Sequence, residues 1–254
     1  MKRVLTGLIL LVIFIYIVTW APSQLFLAMV AVVGLLCFHE YAGLVGNHNL
    51  RVPGLFGYVS GLVILFLPRL DFIFIVLITL LAFALSLTSR ELPDALPFAA
   101  ALLFGVMYVF GCLRAGIGLR TLSPYWLLFA LSENWIGDMA AYYAGRRFGR
   151  HKLAPRISPA KTWEGALASI AASLVFACFY FPNLLKDVPL PWALAIAAAG
   201  NIAGQIGDLC ESATKRGAGV KDSGTMLPGH GGWLDRIDSS LFALPVVYYL
   251  AGLI

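Results

Sequence analysis

Asp208, Asp235 and Asp238 are the residues whose types and spacing point most directly to chemistry. Asp235 and Asp238, in the run DRID, are three apart and share one helix face. With Asp208 arriving from a different helix, they make a set of oxygen ligands for a hard cation. Mg²⁺ suits such a set because it takes one or two carboxylates and leaves room for water and substrate phosphates. The competing reading is charge compensation at a helix N-terminus, with a salt bridge from Asp235 to Arg236. Asp138 is a further ligand candidate, or a partner for Arg146.

The stretch Gly207–Ser239 holds five carboxylates and four Lys/Arg in a chain that is otherwise strongly apolar. Charges of both signs are costly in or beside a bilayer, so their clustering marks a functional site. Lys215, Arg216, Lys221 and Arg236 supply positive charge for phosphate, and Asp222 follows Lys221 directly. Pro228-Gly229-His230-Gly231-Gly232 is a flexible turn feeding a helix N-terminus, where backbone amides can approach an anion. His230 is read as a phosphate contact rather than a metal ligand. No GxxxxGK[ST] loop occurs. Upstream, Asn201, Gln205, Asp208, Ser212 and Lys215 draw one polar stripe down a helix, beside Gly200, Gly204 and Gly207, which permit close helix packing.

A second polar segment covers 145–165. Five Arg/Lys lie within 146–156, and Ser158, Lys161 and Thr162 follow. Ser158 and Thr162 are read as caps of the next helix, with Lys161 reaching a phosphate; the basic cluster suits an anionic lipid surface equally well. Asn134, Asp138 and Tyr142 are spaced along one helix face, and Glu133 and Glu164 are read as structural ion-pair members. His39-Glu40-Tyr41 is read as an interfacial anchor. Cys37, Cys112, Cys178 and Cys210 show no metal or disulfide spacing and are read as small buried hydrophobes.

The elements that must position these residues are membrane helices. The chain has 254 residues, 60% hydrophobic and 12% charged, with a mean hydropathy of +0.86. That composition excludes an ordinary soluble domain and predicts an all-α, polytopic membrane protein. Apolar runs give about nine spans: 4–20, 24–45, 54–68, 70–88, 96–113, 123–145, 163–181, 190–212 and 237–254. The third and fourth form either one broken hairpin or two short tilted helices. The N-terminal run lacks a small-x-small cleavage site and reads as a retained first span. With the N-terminus inside, fourteen of the eighteen Lys/Arg fall on inside ends; Arg69, Arg114, Arg120 and Lys186 fall in outside loops. This bias places 146–162 and 213–236 on one cytoplasmic face of the cell's inner (plasma) membrane. Net charge +5 therefore reflects topology rather than nucleic acid. Residues 1–122 read as scaffold and 123–254 as the catalytic region, within one integral domain. Small residues along the spans permit a homodimer.

Residues 212–238 read S-x-x-K-R-x₄-K-D-x-G-x₂-L-P-x-H-G-G-x-x-D-R-I-D. This pattern, with ISPAKTWEG and GDMAAYYAGRRFG in the expected order, resembles the phosphatidate cytidylyltransferase (CDP-diacylglycerol synthase) family. Thr214 stands where the family pattern has an apolar residue. The resemblance implies that CTP and phosphatidic acid give CDP-diacylglycerol and pyrophosphate, with Mg²⁺ and room for a second cation. It implies that Asp208, Asp235 and Asp238, with Asp138, hold metal. Lys215, Arg216, Lys221, His230 and Arg236, beside Asp222, would handle the phosphates. Ser158, Lys161, Thr162, Ser212, Gly231 and Gly232 would line the substrates. A CTP-dependent lipid kinase and an anion transporter are the rival readings. A transporter concentrates polar groups near the midplane, whereas here they gather at one end.

Overall fold

The computed structural model describes residues 12–50, 54–67, 71–89, 91–226, 229 and 231–254. Expectations for Lys2, Arg3, Arg51, Arg69, Arg90, Pro228 and His230, and for the start of the first span, lie outside the described residues. The described chain is almost entirely helical: α1 (12–19), α2 (Ser23–Asn47), α3 (Gly54–Phe66), α4 (Phe72–Leu85), α5 (Ala95–Val106), α6 (Cys112–Leu122), α7 (Pro124–Phe148), α8 (Trp163–Leu184), α9 (Leu190–Gly217) and α10 (Leu234–Ala251).

Among the described residues, four helical stretches are long and apolar enough to cross a membrane: Ser23–Asn47, Leu92–Leu122, Trp163–Leu184 and Leu190–Gly217. The 3₁₀ turn Leu92–Asp94, α5, a π-helical turn at Met107–Gly111 and α6 make one 31-residue rod. The span expected at 96–113 therefore runs on through Arg114 and Arg120. These two arginines are not loop residues. Arg114 Nη1 donates to Ile64 O (2.8 Å) and Leu65 O (3.1 Å) at the end of α3. Arg120 donates to Val18 O and Ala21 O just beyond α1, and its guanidinium lies 4.3 Å from the centre of the Phe26 ring. Helix C-termini carry unsatisfied carbonyls and partial negative charge, so a cation there is stabilising. A charge count assigns such arginines to a loop because it cannot see the carbonyls they cap. The third and fourth spans are two short helices, α3 and α4, of 13 and 14 residues. At 1.5 Å per residue each is about 20 Å long, less than the roughly 30 Å hydrocarbon core.

Apolar side chains from both halves meet in one core. Phe38 packs against Tyr58 and Phe110, and Phe129 packs against Phe176, Tyr180 and Phe181. α10 lies along α9, α6 and α7, and α8 lies against α7 and α9. Between α7 and α8 the chain forms a small antiparallel hairpin, β1 (Lys152–Ala154) with β2 (Ser158–Thr162), in a segment without alternating apolar residues. Cys37 is buried and Cys112 half-buried, but Cys178 and Cys210 are exposed on α8 and α9, contrary to expectation.

Candidate active site

The polar stripe on α9 is continuous. Gln205 Nε2 donates to Asn201 Oδ1 (2.7 Å), Asn201 Nδ2 to Ser169 Oγ on α8 (3.0 Å), and Ser212 Oγ to Asp208 Oδ1 (3.3 Å). The glycines beside the stripe bring α9 against its neighbours. A β-carbon at Gly207 would stand 2.8 Å from the backbone oxygen of Asp238 and 2.9 Å from Cβ of Phe242 on α10. Neither atom can swing away. Gly207→Ala is therefore expected to separate α9 from α10 and to cost about 1–3 kcal/mol. Thermal melting of the purified protein checks this, and an unchanged midpoint would refute it.

The stripe ends in a buried charge cluster. Lys215 Nζ lies 2.5 Å from Asp235 Oδ1 on α10 and 2.5 Å from Glu211 Oε2 one turn earlier on α9. The three side chains are 11%, 6% and 1% exposed respectively. Among the described residues Lys215 is the one cation paired with Glu211, and Glu211 Oε1 has no hydrogen-bond donor. Asp235 is the opposite case. Its Oδ2 accepts from Gly232 N–H (2.8 Å), Ser223 N–H (2.9 Å) and the Ser223 hydroxyl (3.0 Å). Lys215 holds Oδ1, which keeps a second lone pair. Asp235 thus sits at the junction of α9, α10 and the 218–233 loop. Its salt bridge is to Lys215 rather than to Arg236, which is exposed.

A second carboxylate comes from α2. Glu40 is 4% exposed and accepts from Trp233 N–H (2.9 Å), Leu234 N–H (2.8 Å) and the Ser223 hydroxyl (2.8 Å). It fills the place of an anion at the N-terminus of α10. The glycine-rich turn does cradle anions through its amides, but at Gly232, Trp233 and Leu234 the anions are the protein's own Asp235 and Glu40. The turn needs glycine for two reasons. Gly231 has φ +77°, and a side chain at Gly232 would collide with Glu40 Oε2 and Ser223 Oγ. Glu40 and Tyr41 are buried, so the reading of 39–41 as an interfacial anchor is corrected. Tyr41 donates to Ala101 O (2.8 Å), and His39 pairs with the Tyr58 hydroxyl (3.1 Å).

The remaining acids gather on three helices. Asp138 (α7), Asp208 (α9) and Asp238 (α10) lie near enough to feel one another's charge. Asp208 is ion-paired to Lys161 on β2, and both side chains are about a quarter exposed (28% and 27%). Asp238 Oδ1 accepts from its neighbour's amide, Ser239 N–H, at 2.7 Å. Asp138 does not pair with Arg146, which donates instead to the Tyr142 hydroxyl at 3.1 Å. Among the described residues no three His, Cys, Asp or Glu converge into a ready metal-binding group.

Thr162 caps α8 by accepting from Gly165 N–H at 3.2 Å, as expected. Ser158 does not cap; it lies in β2, paired with Ala154. Arg216 donates to Ile157 O (3.4 Å) and Val220 O (3.2 Å), tying the hairpin to the loop after α9. Lys221 and Asp222 are exposed on that loop. Glu164 is an ion-pair member, 2.6 Å from His151. Glu133 is not, among the described residues. It is fully buried, both its carboxylate oxygens lack a hydrogen-bond partner, and one of them faces the α-carbon of Gly200.

The sequence profile of the Cytidylyltransferase family matches residues 1–254. The chain belongs to that family. Among its relatives is a phosphatidate cytidylyltransferase of Bacillus subtilis (strain 168), 31% identical over 99% of this chain and 97% of the relative. Another, from Staphylococcus haemolyticus (strain JCSC1435), is 36% identical over 98% of this chain and 97% of the relative. A third, from Haemophilus influenzae (strain ATCC 51907 / DSM 11121 / KW20 / Rd), is 40% identical over 57% of this chain and 53% of its own length.

In this cytidylyltransferase-family chain, three site residues escaped the sequence reading. Glu211 had a signal, since it precedes Lys215 by one helical turn. Ser223 had none beyond its place between Asp222 and Gly224. Glu40 is separated from its partners by 183 to 194 residues, and nothing local joins it to them.

Proposed function

We propose that the chain transfers the cytidylyl group of CTP to phosphatidate, giving CDP-diacylglycerol and pyrophosphate. The observation that carries this is membership of the Cytidylyltransferase family over the whole chain, shared with relatives named phosphatidate cytidylyltransferase. In the reaction a phosphatidate phosphate oxygen attacks the α-phosphorus of CTP. The bond from that phosphorus to the bridging oxygen breaks, and pyrophosphate leaves. A phosphate monoester has a second pKa near ~6 and is already anionic at neutral pH, so no strong base is required. The protein must bring two anions together and neutralise the charge that passes to the leaving group.

The residues divide that work. Lys221 and Arg236 are exposed at the mouth of the cluster and are assigned to the triphosphate, with Arg216 steadied beside them by two carbonyls. Lys215 is committed to Glu211 and Asp235, and its assigned role is to hold the cluster together. Asp138, Asp208 and Asp238 are assigned to a hard cation: they stand on three helices, near enough to feel one another's charge, and Asp208 is paired to Lys161. Mg²⁺ needs only one or two carboxylates, with water and phosphates completing its shell, so three convergent acids are not required. A bound Mg²⁺ supplies charge neutralisation at the phosphates. Asp235, held by Lys215 and by the Gly232 and Ser223 amides, is assigned to position rather than ligate. The Lys/Arg bias supports a cytoplasmic face of the inner membrane.

The test is purified protein with CTP, Mg²⁺ and phosphatidate. The expected result is pyrophosphate release that requires the lipid and stops when the cation is chelated. Release of CDP with a phosphorylated lipid would instead identify a kinase and overturn the reading.

A further inference from the structure

We propose that Glu40, from the N-terminal half of the chain, is a positioning residue for the cytidylyl transfer. It is the clamp that holds Ser223 and Trp233-Leu234, the two ends of the turn, beside the Lys215–Asp235 pair. The proposal rests on the reaction assigned above.

Three distances define the clamp. One Glu40 oxygen accepts from Trp233 N–H at 2.9 Å, and the other accepts from Leu234 N–H and the Ser223 hydroxyl, each at 2.8 Å. The carboxylate thereby ties both ends of the turn, Ser223 and Trp233-Leu234, to α2. Ser223 carries the effect inward. Its hydroxyl lies between Glu40 Oε2 and Asp235 Oδ2 (3.0 Å) and has one hydrogen for two acceptors, while its amide gives Asp235 a second donor at 2.9 Å. Gly224 and Gly232 press against the same carboxylate; a β-carbon on Gly224 would stand 2.6 Å from Glu40 Oε1. The exposed Lys221 and Asp222 hang immediately before Ser223, and Arg236 stands two residues after Leu234. Phosphate-binding side chains on this turn are therefore placed by an acid on a helix that touches no phosphate itself. α2 otherwise contributes apolar packing, with Cys37, Phe38 and Leu44 fully or nearly fully buried. Glu40 departs from that pattern at the one place where α2 meets the turn.

Glutamine keeps the shape of Glu40 but turns one of its two acceptors into a donor. Whichever way the amide turns, that donor would face a backbone N–H, of Leu234 or of Trp233, which also donates. In Glu40→Gln the turn should come loose while the helices stay packed. Misplacing groups by about 1 Å can cost roughly 10²-fold in rate, so kcat is expected to fall by at least ~10-fold. Two readouts separate positioning from bulk stability. Tyr41→Phe removes a part-buried hydrogen bond, to Ala101 O rather than to the turn, from the neighbouring residue on the same helix. It should lower the melting point without lowering kcat of the folded protein. In addition, trypsin should cut after Lys221 faster in Glu40→Gln than in wild type or Tyr41→Phe. Equal cutting rates in all three, or a Glu40→Gln rate per folded molecule equal to that of wild type, would overturn the proposal. If wild-type protein releases no pyrophosphate, the assigned reaction fails, and the proteolysis arm still decides whether Glu40 clamps the turn.

Discussion

Lys215→Met is expected to destabilise the protein severely and to abolish turnover. Lys215 is the shared cation of two carboxylates that are almost wholly buried. Removing one member of a buried ion pair leaves uncompensated charge and typically costs 3–5 kcal/mol, far more than a surface pair. For a chain of this size, at about 2–4 °C per kcal/mol, the melting point should drop by roughly 6–20 °C. The two acids left behind are not equivalent. Asp235 keeps the Gly232 and Ser223 donors, whereas among the described residues Glu211 has no donor once Lys215 is gone. Most of the loss should therefore arise at Glu211. Adding Glu211→Gln to Lys215→Met should recover a large part of the melting point and none of the pyrophosphate release. The cluster would be wrongly understood if Lys215→Met melted like wild type, or if the double variant melted no higher than the single one.

The legible parts of this site were those written in short-range spacing. The α9 stripe was legible because its members recur every three or four residues, and in the structure Asn201 bonds Gln205 and Asp208 bonds Ser212. Thr162 as a cap was legible from its place just before an apolar run. Four of the spans were legible as long apolar runs, although charge position misassigned Arg114 and Arg120, whose targets are helix-terminal carbonyls distant in sequence. The β1–β2 hairpin was not legible. Its strands are short, hold prolines and charges between them, and carry no alternating apolar pattern. Glu40 was illegible for a different reason. A lone acid near a helix end in a membrane protein ordinarily faces the interface, and only a partner nearly two hundred residues away makes this one interior. The carboxylates were found as a group, but their roles were not. Spacing shows that Asp235 and Asp238 share a face; it does not show that Asp235 is held by Lys215 and two backbone amides.

That difference sets the second large expectation, a comparison of Asp208→Asn with Asp235→Asn. Both carboxylates are paired to a lysine, and burial decides what each pairing does. Asp208 and Lys161 are about a quarter exposed, so breaking their pair should cost no more than about 1 kcal/mol. Asp235 and Lys215 are largely buried, and Asp235 also holds Gly232 and Ser223. Asn at 235 cannot neutralise Lys215, and its amide nitrogen would oppose at least one donor. If Asp208 works with Asp238 and Asp138 as a cation ligand, Asp208→Asn should lose turnover by roughly 10²-fold or more, the scale of removing one charge-stabilising group. Its melting point should stay near that of wild type. Raising Mg²⁺ should recover part of its rate, because weakened binding responds to concentration. Asp235→Asn should lose melting point and turnover together, with no recovery by Mg²⁺. The reverse pattern, a stable Asp235→Asn rescued by Mg²⁺ and an unstable Asp208→Asn that is not, would exchange the two roles and return Asp235 to the metal.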